Sequence, residues 1–178
     1  MAVQEIILGY GKFFIDEQEI ALTRGGGQFT VEREYRIIEA DGMKAAGKDM
    51  IVIDREQPKL TVNALSIFVD ADLTKYYPAM KSEEVTPDAG GTGIKITATD
   101  ELVVSNDEST GDYHKVKWVG KTNKGKGVVI EIEDAVNLEN IDWSLVDKDE
   151  VLQTLTYTGT ADLDVKQAKY SVTFVTTD

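Results

Sequence analysis

Residues 28–38, QFTVEREYRII, run into EADGMKAAGKD (residues 39–49) and then MIVID (residues 50–54), and the reading of this stretch decides the fold. Phe29, Val31, Tyr35 and Ile37 share one face while Thr30, Glu32, Glu34 and Arg36 share the other, the period-two signature of a half-buried strand. Arg33 breaks the pattern by falling on the apolar side. The middle of the stretch holds no pair of catalytic groups, and a second strand-like run begins at Met50. Asp41 and Gly42 make a favoured two-residue hairpin turn, yet a return strand reading MKAAGK would have little to pack. The expectation is therefore a long hairpin whose tip, residues 40–48, projects from the body. Met43, Ala45 and Ala46 on such a tip are costly to leave in water unless another subunit covers them.

Outward from there the alternation repeats. It appears in Leu60, Val62 and Ala64, in Ile94, Ile96 and Ala98, and in Val116 and Trp118 between Lys115 and Lys117. It returns in Val128, Ile130 and Ile132, in Ile141, Trp143 and Leu145, in Leu155 and Tyr157 among threonines, and in Tyr170, Val172 and Phe174. Strands separated by Gly, Asp and Asn clusters, with no long helical pattern between them, predict a mainly β, antiparallel sandwich or barrel. One short flanking helix is expected over DLTKYY, capped by Asp70 or Asp72 and ended by Pro78. Residues 82–92, SEEVTPDAGGT, read as a surface loop, residues 146–151 as a loop between strands, and Gly25, Gly26 and Gly27 as a bend or bulge before the long strand.

A chain of 178 residues suits one domain spanning residues 1–178, and no internal repeat calls for a second. With no cysteine, neither disulfides, thiolate metal sites nor a cysteine nucleophile are available. A net charge of −13 argues against gripping nucleic acid through a general positive field. No run reaches the length of a membrane span and no basic leader precedes the first apolar stretch, so the expectation is a soluble protein made in the cytoplasm, without a membrane partner.

Candidate chemistry is sparse. Residues 120–127, GKTNKGKG, nearly spell a phosphate-binding loop, but the closing Ser or Thr is missing and a strand pattern follows instead of a helix. The segment reads better as a lysine-rich hairpin tip. Lys115, Lys117, Lys121, Lys124 and Lys126 form the one concentrated basic patch, either complementary to acidic surface on a neighbouring copy or a set of solvated edge-strand lysines that resist aggregation. His114 is the lone histidine, short of the partners that a triad or a catalytic metal requires, and is expected at the surface. The pairs Asp70 with Asp72 and Asp147 with Asp149 do not fit a calcium-loop pattern. No catalytic residue, metal site or cofactor is expected.

LTRGGGQFTVEREYRIIEADG (residues 22–42), the Gly-and-Lys loop after it, PKLTVNAL (residues 58–65), DKDEVLQTLTYTGTAD (residues 147–162) and the early GKFFID (residues 11–16) together resemble the tail tube proteins of long-tailed bacteriophages, particularly those of Gram-positive hosts. The resemblance spans nearly the whole chain and rests on patterned, non-catalytic motifs. It implies a β-sandwich with a flanking helix, six copies closing into a ring, and rings stacking into a hollow tube whose lining is a continuous barrel of paired strands. Contractile-tail and type VI secretion tubes share that architecture. It also implies a ring-stacking role for the projecting loop, here Asp41, Gly42, Met43, Lys44, Ala45, Ala46, Gly47 and Lys48, with the three glycines and the termini as further contacts. Glu32, Glu34 and Arg36, on the polar face of the long strand, are the candidate lumen-facing side chains. The implied partners are further copies of the chain, tape measure, terminator and baseplate proteins, and double-stranded DNA passing without specific binding. The implied location is the virion, after assembly in the host bacterial cytoplasm. The competing expectation is a β-sandwich module that binds carbohydrate through loops such as residues 82–92, although such modules usually expose aromatic residues and both tryptophans are in phase with apolar neighbours.

Overall fold

The computed structural model describes residues 5–20, 23–39, 41–42, 44–45, 47–65, 73–87, 90–100, 104, 111–147, 149–161, 164–165 and 167–175. In chain order these form β1 (Ile7–Ile15), β2 (Gln18–Glu19), β3 (Thr23–Ile37), β4 (Ile51–Ala64), α1 (Leu73–Tyr76), β5 (Met80–Val85), β6 (Gly93–Ala98), β7 (His114–Thr122), β8 (Gly127–Asn137), β9 (Gln153–Gly159) and β10 (Tyr170–Val175). Strands β5 and β6 pair with each other, and the rest join in the order β2-β1-β7-β8-β9-β4-β3, with β10 added to β8.

The long strand β8 makes the corner. Its first part is paired by β7 and β10, whereas its end, from Ala135 to Asn137, pairs with β9. Strands β9, β4 and β3 thereby form a second layer, and the side chains between the layers are the core: Phe13, Ile15, Val116, Trp118, Val128 and Ile132 against Leu60, Val62, Leu155 and Tyr157. The result is a mainly β, antiparallel, sandwich-like architecture with one short helix; among the described residues the strand path does not close into a barrel. Removing these apolar surfaces from water is the main driving term for such a fold. Gly11 and Gly120 are part of that packing, since a Cβ at either would collide with the Trp118 indole.

The helix lies where expected, with Leu73 and Tyr76 buried and Pro78 just beyond its end. Its candidate caps, Asp70 and Asp72, lie outside the described residues. Asn137 holds the helix to the sheet by donating from Nδ2 to the Tyr76 carbonyl at 2.7 Å. The glycine bend is a bulge: Gly25 and Gly26 adopt φ of 80° and 74°, and the register of β3 on β4 shifts between Thr23 and Gly27.

Three expectations are corrected. Ser82 to Val85 is not loop but strand, because β5 pairs along its whole length with β6 and Glu83 meets Lys95 at 3.3 Å. Two exposed strands joined as a hairpin tolerate polar side chains that a buried strand would not. Conversely, Ile141, Trp143 and Leu145 alternate without being a strand. Asn137 ends β8 there by accepting the Glu139 amide at 3.1 Å; among the described residues no strand pairs with the segment that follows, and Leu145 stays exposed. Third, β7 is interior to its sheet, flanked by β1 and β8, so its lysines are not edge-strand lysines. Asp147 and Asp149 fall in the turn region expected for residues 146–151. Among the described residues no helix is long and apolar enough to cross a membrane.

Candidate functional site

The hairpin of β3 and β4 is longer than the body that supports it. Fifteen residues of β3 span about 50 Å at the usual rise per residue. Strand β9 supports β4 only from Lys59 to Ala64. Pro58, which has no N–H to offer, marks the end of that ladder, and Gly159 lies against its ring. Beyond it the hairpin continues as a two-stranded arm down to the Ile37–Ile51 pair. Ile38 then donates to the Met50 carbonyl at 2.8 Å, and the chain crosses over in the tip. The projecting loop is thus present, and of its residues Asp41, Gly42, Lys44, Ala45 and Lys48 are exposed, with Gly47 half-buried. Met43 and Ala46 lie outside the described residues.

The arm has two unlike faces. The core-facing row of the hairpin, Phe29 opposite Leu60 and Val31 opposite Pro58, continues outward through Arg33 opposite Glu56 to Tyr35 opposite Ile53 and Ile37 opposite Ile51. A bulge at Asp54 keeps the last two pairs on that face. Tyr35, Ile37, Ile51 and Ile53 are 58%, 54%, 56% and 50% exposed. Sequence reasoning placed Tyr35 and Ile37 in a half-buried strand; the strand is real, but nothing among the described residues lies over this part of it. The exposed apolar surface of the arm therefore includes its shaft. The one clue in the sequence is the match of Tyr35 and Ile37 with Ile51 and Ile53 at the far end of a strand too long for a single body.

On the other face stand the candidate lumen residues, each paired across the strands. Glu32 meets Lys59 at 2.8 Å, Arg36 meets Asp54 at 3.1 Å, and Glu34 meets Arg55 at 3.7 Å. Three acids thus face three bases, so the acidic surplus of the chain does not reside in this row. The face continues over β9 as a hydroxyl and amide surface, with Thr61 bonded to Thr156 and Thr154 to Asn63.

Between the buried and exposed parts of the inner row, Arg33 donates from Nε to Glu56 Oε2 at 2.5 Å and from Nη2 to the Tyr170 hydroxyl at 3.3 Å. Gln167 donates to the other Glu56 oxygen at 3.2 Å. The guanidinium holds the Glu56 carboxyl below the usual carboxylate range, and the carboxylate in turn raises the Arg33 pKa. Tyr170 also stacks, tilted, against Phe29 with ring centroids 6.0 Å apart. Alongside β10 runs an open groove of about 710 Å³ lined by Glu56, Glu131, Glu133, Gln167, Lys169 and Val172.

The basic patch is largely internally neutralised. Lys115 pairs with Glu131 at 3.1 Å, Lys126 with Glu5 at 3.0 Å, and Lys117 with Glu17. The ammonium groups lower the pKa of Glu5 and Glu17, and Glu131 raises that of Lys115. Lys121 is exposed on β7, and Lys124 sits in the β7–β8 turn. In that turn the Thr122 hydroxyl accepts the amides of Lys124 and Lys126, and the Thr122 amide donates to the Lys126 carbonyl. These amides are occupied and no helix follows, so the near-match to a phosphate loop has no anion cradle. His114 is buried, contrary to expectation, and its Nδ1 lies 2.6 Å from Asp16 Oδ2 in the β1–β2 turn. Among the described residues no cluster of His, Asp and Glu could hold a metal ion.

No family model matches this sequence, and comparison with curated proteins finds no relative.

Proposed function

We propose that this chain is the structural subunit of a bacteriophage tail tube: copies join side by side into six-membered rings, and rings stack into a hollow conduit for double-stranded DNA. The single observation that carries the reading is the arm, a two-stranded ribbon whose core-facing side extends past the core as Tyr35, Ile37, Ile51 and Ile53. An apolar strip of that kind on a monomer is a liability in water and an asset in a polymer. Unpaired backbone supports the same reading. Among the described residues strand β3 pairs only with β4, and β1 is bordered by β2 over just Phe14 and Ile15, which leaves two sheet edges for neighbouring copies. One patch meeting a different patch closes into a ring when the rotation fits, while stacking of rings does not close and gives a filament. The resemblance of residues 22–42, 58–65 and 147–162 to tail tube proteins supplies the identity of the filament. In this reading the neutral face of Glu32, Glu34 and Arg36 borders the lumen, the loop at residues 41–48 meets the next ring, and tape measure, terminator and baseplate proteins are the partners at the tube's ends.

Negative-stain microscopy at rising protein concentration tests the proposal, with rings or hollow rods as the expected outcome. Deleting residues 40–48 is expected to leave rings while abolishing long tubes. Persistent monomers at every concentration, or normal polymerisation of the deletion variant, would overturn the reading or its assignment of the loop respectively.

A further inference from the structure

We propose that Arg33, Glu56, Tyr170 and Gln167 form a clasp that fixes the direction in which the arm leaves the body, and so act as positioning residues for the apolar strip beyond them. The consequence for assembly rests on the tube reading; the clasp itself does not.

The need for such a device follows from the ladder. Past the Lys59–Thr158 pair β4 has lost β9, and a two-stranded ribbon alone is soft and marginally stable. The bulge between Arg55 and Ile53 adds a bend further out. Apart from the Lys59–Glu32 contact within the hairpin itself, the hydrogen bonds among the described residues that tie the arm beyond Pro58 to the body are Arg33 to Tyr170 and Gln167 to Glu56. Both run to the same place, the start of β10 and the residues leading into it. The two oxygens of Glu56 are divided between them: one accepts from Arg33 across the strands, the other from Gln167 on the body. Its side chain is only 11% exposed, so this carboxylate is shielded, unlike those of the outer row. A planar guanidinium held by a carboxylate and a phenol constrains angle as well as distance, which an apolar pair at the same place would not. This explains why an Arg and a Glu interrupt the apolar row at the point where support ends. If the two were merely a cross-strand ion pair, Tyr170 and Gln167 would be incidental.

The absence of cysteine allows a direct test. Spin labels at Lys44→Cys on the arm and Lys121→Cys on β7 report the arm-to-body distance in dilute, monomeric full-length protein. One narrow distance distribution is expected for the parent, with clear broadening when the clasp is opened by Glu56→Gln. Tyr170→Phe and Gln167→Ala leave the Arg33–Glu56 pair intact yet should broaden it too, which a purely stabilising ion pair does not predict. Tyr170→Phe removes one oxygen only and serves where Glu56→Gln folds poorly. Exchanging the charges, Arg33→Glu with Glu56→Arg, should recover part of the narrowness. Distributions as narrow as the parent's in both Tyr170→Phe and Gln167→Ala would overturn the clasp. A parent protein that never forms tubes would instead remove the proposed function while leaving the distance comparison to judge the clasp.

Discussion

The inner and outer halves of the β3–β4 hairpin lie on the same two strands, with the Asp54 bulge carrying the apolar row onward, yet they differ in what lies over them. In the inner half Leu60 and Val62 are 4% and 2% exposed beneath the opposing layer. In the outer half Ile51 and Ile53 occupy equivalent positions on the same strand and stand half in water. The unbroken period of two on β3, from Phe29 to Ile37, therefore tells which way a side chain points but not whether anything covers it. The first half serves the stability of one chain, and under the proposed tube reading the second serves contacts between chains.

That comparison can be broken by substitution. Leu155→Ala, at a fully buried position on β9 beside Val62 of the inner half, is expected to cost about 2–5 kcal/mol in urea unfolding, as cavity-forming core changes do. Ile53→Ala should stay within about 0.5 kcal/mol of the parent, because an exposed side chain has little burial to lose. Similar losses for the two would erase the distinction. Gly120→Ala sharpens it from the side of overpacking: the new Cβ meets the Trp118 indole, and a cost of about 1–3 kcal/mol is expected in the same assay.

The smallest effect is in pH. The carboxyls of Glu5, Glu17 and Glu56 are lowered in the fold by Lys126, Lys117 and Arg33, so the stability they contribute is complete above their ordinary value of about 4.5 and is lost as pH falls through the lower folded values. Lys115 acts oppositely: raised by Glu131, it contributes below its ordinary value of about 10.5 and loses that contribution as pH rises through the folded value. Acid titration of unfolding stability should show a shallower decline in Glu56→Gln than in the parent, and an unchanged slope would mean that the Arg33 pairing is not maintained in solution.

Much of the fold was legible because it is encoded locally. The hairpin at residues 28–54, the glycine bulge, the helix before Pro78 and the lysine turn at residues 120–127 each depend on neighbours within a few positions. What was not legible depends on distant partners. Buried His114 finds its polar partner in Asp16, ninety-eight positions earlier. Ile141 and Leu145 alternate as well as any strand, yet a strand needs a second one beside it, and none arrives among the described residues. Arg33 looked like an error in the apolar row until Glu56, Tyr170 and Gln167 were brought around it. Within the candidate site the tip was visible as an odd composition, whereas the shaft was hidden inside an apparently ordinary strand.

The row of Glu32, Glu34 and Arg36 with Lys59, Arg55 and Asp54 has a consequence for anything that slides across it. Opposite charges spaced a few ångströms apart cancel at short range, so the potential above the row is nearly flat. A polyelectrolyte moving over such ground finds neither wells in which to lodge nor hills to climb, and added salt has little left to screen.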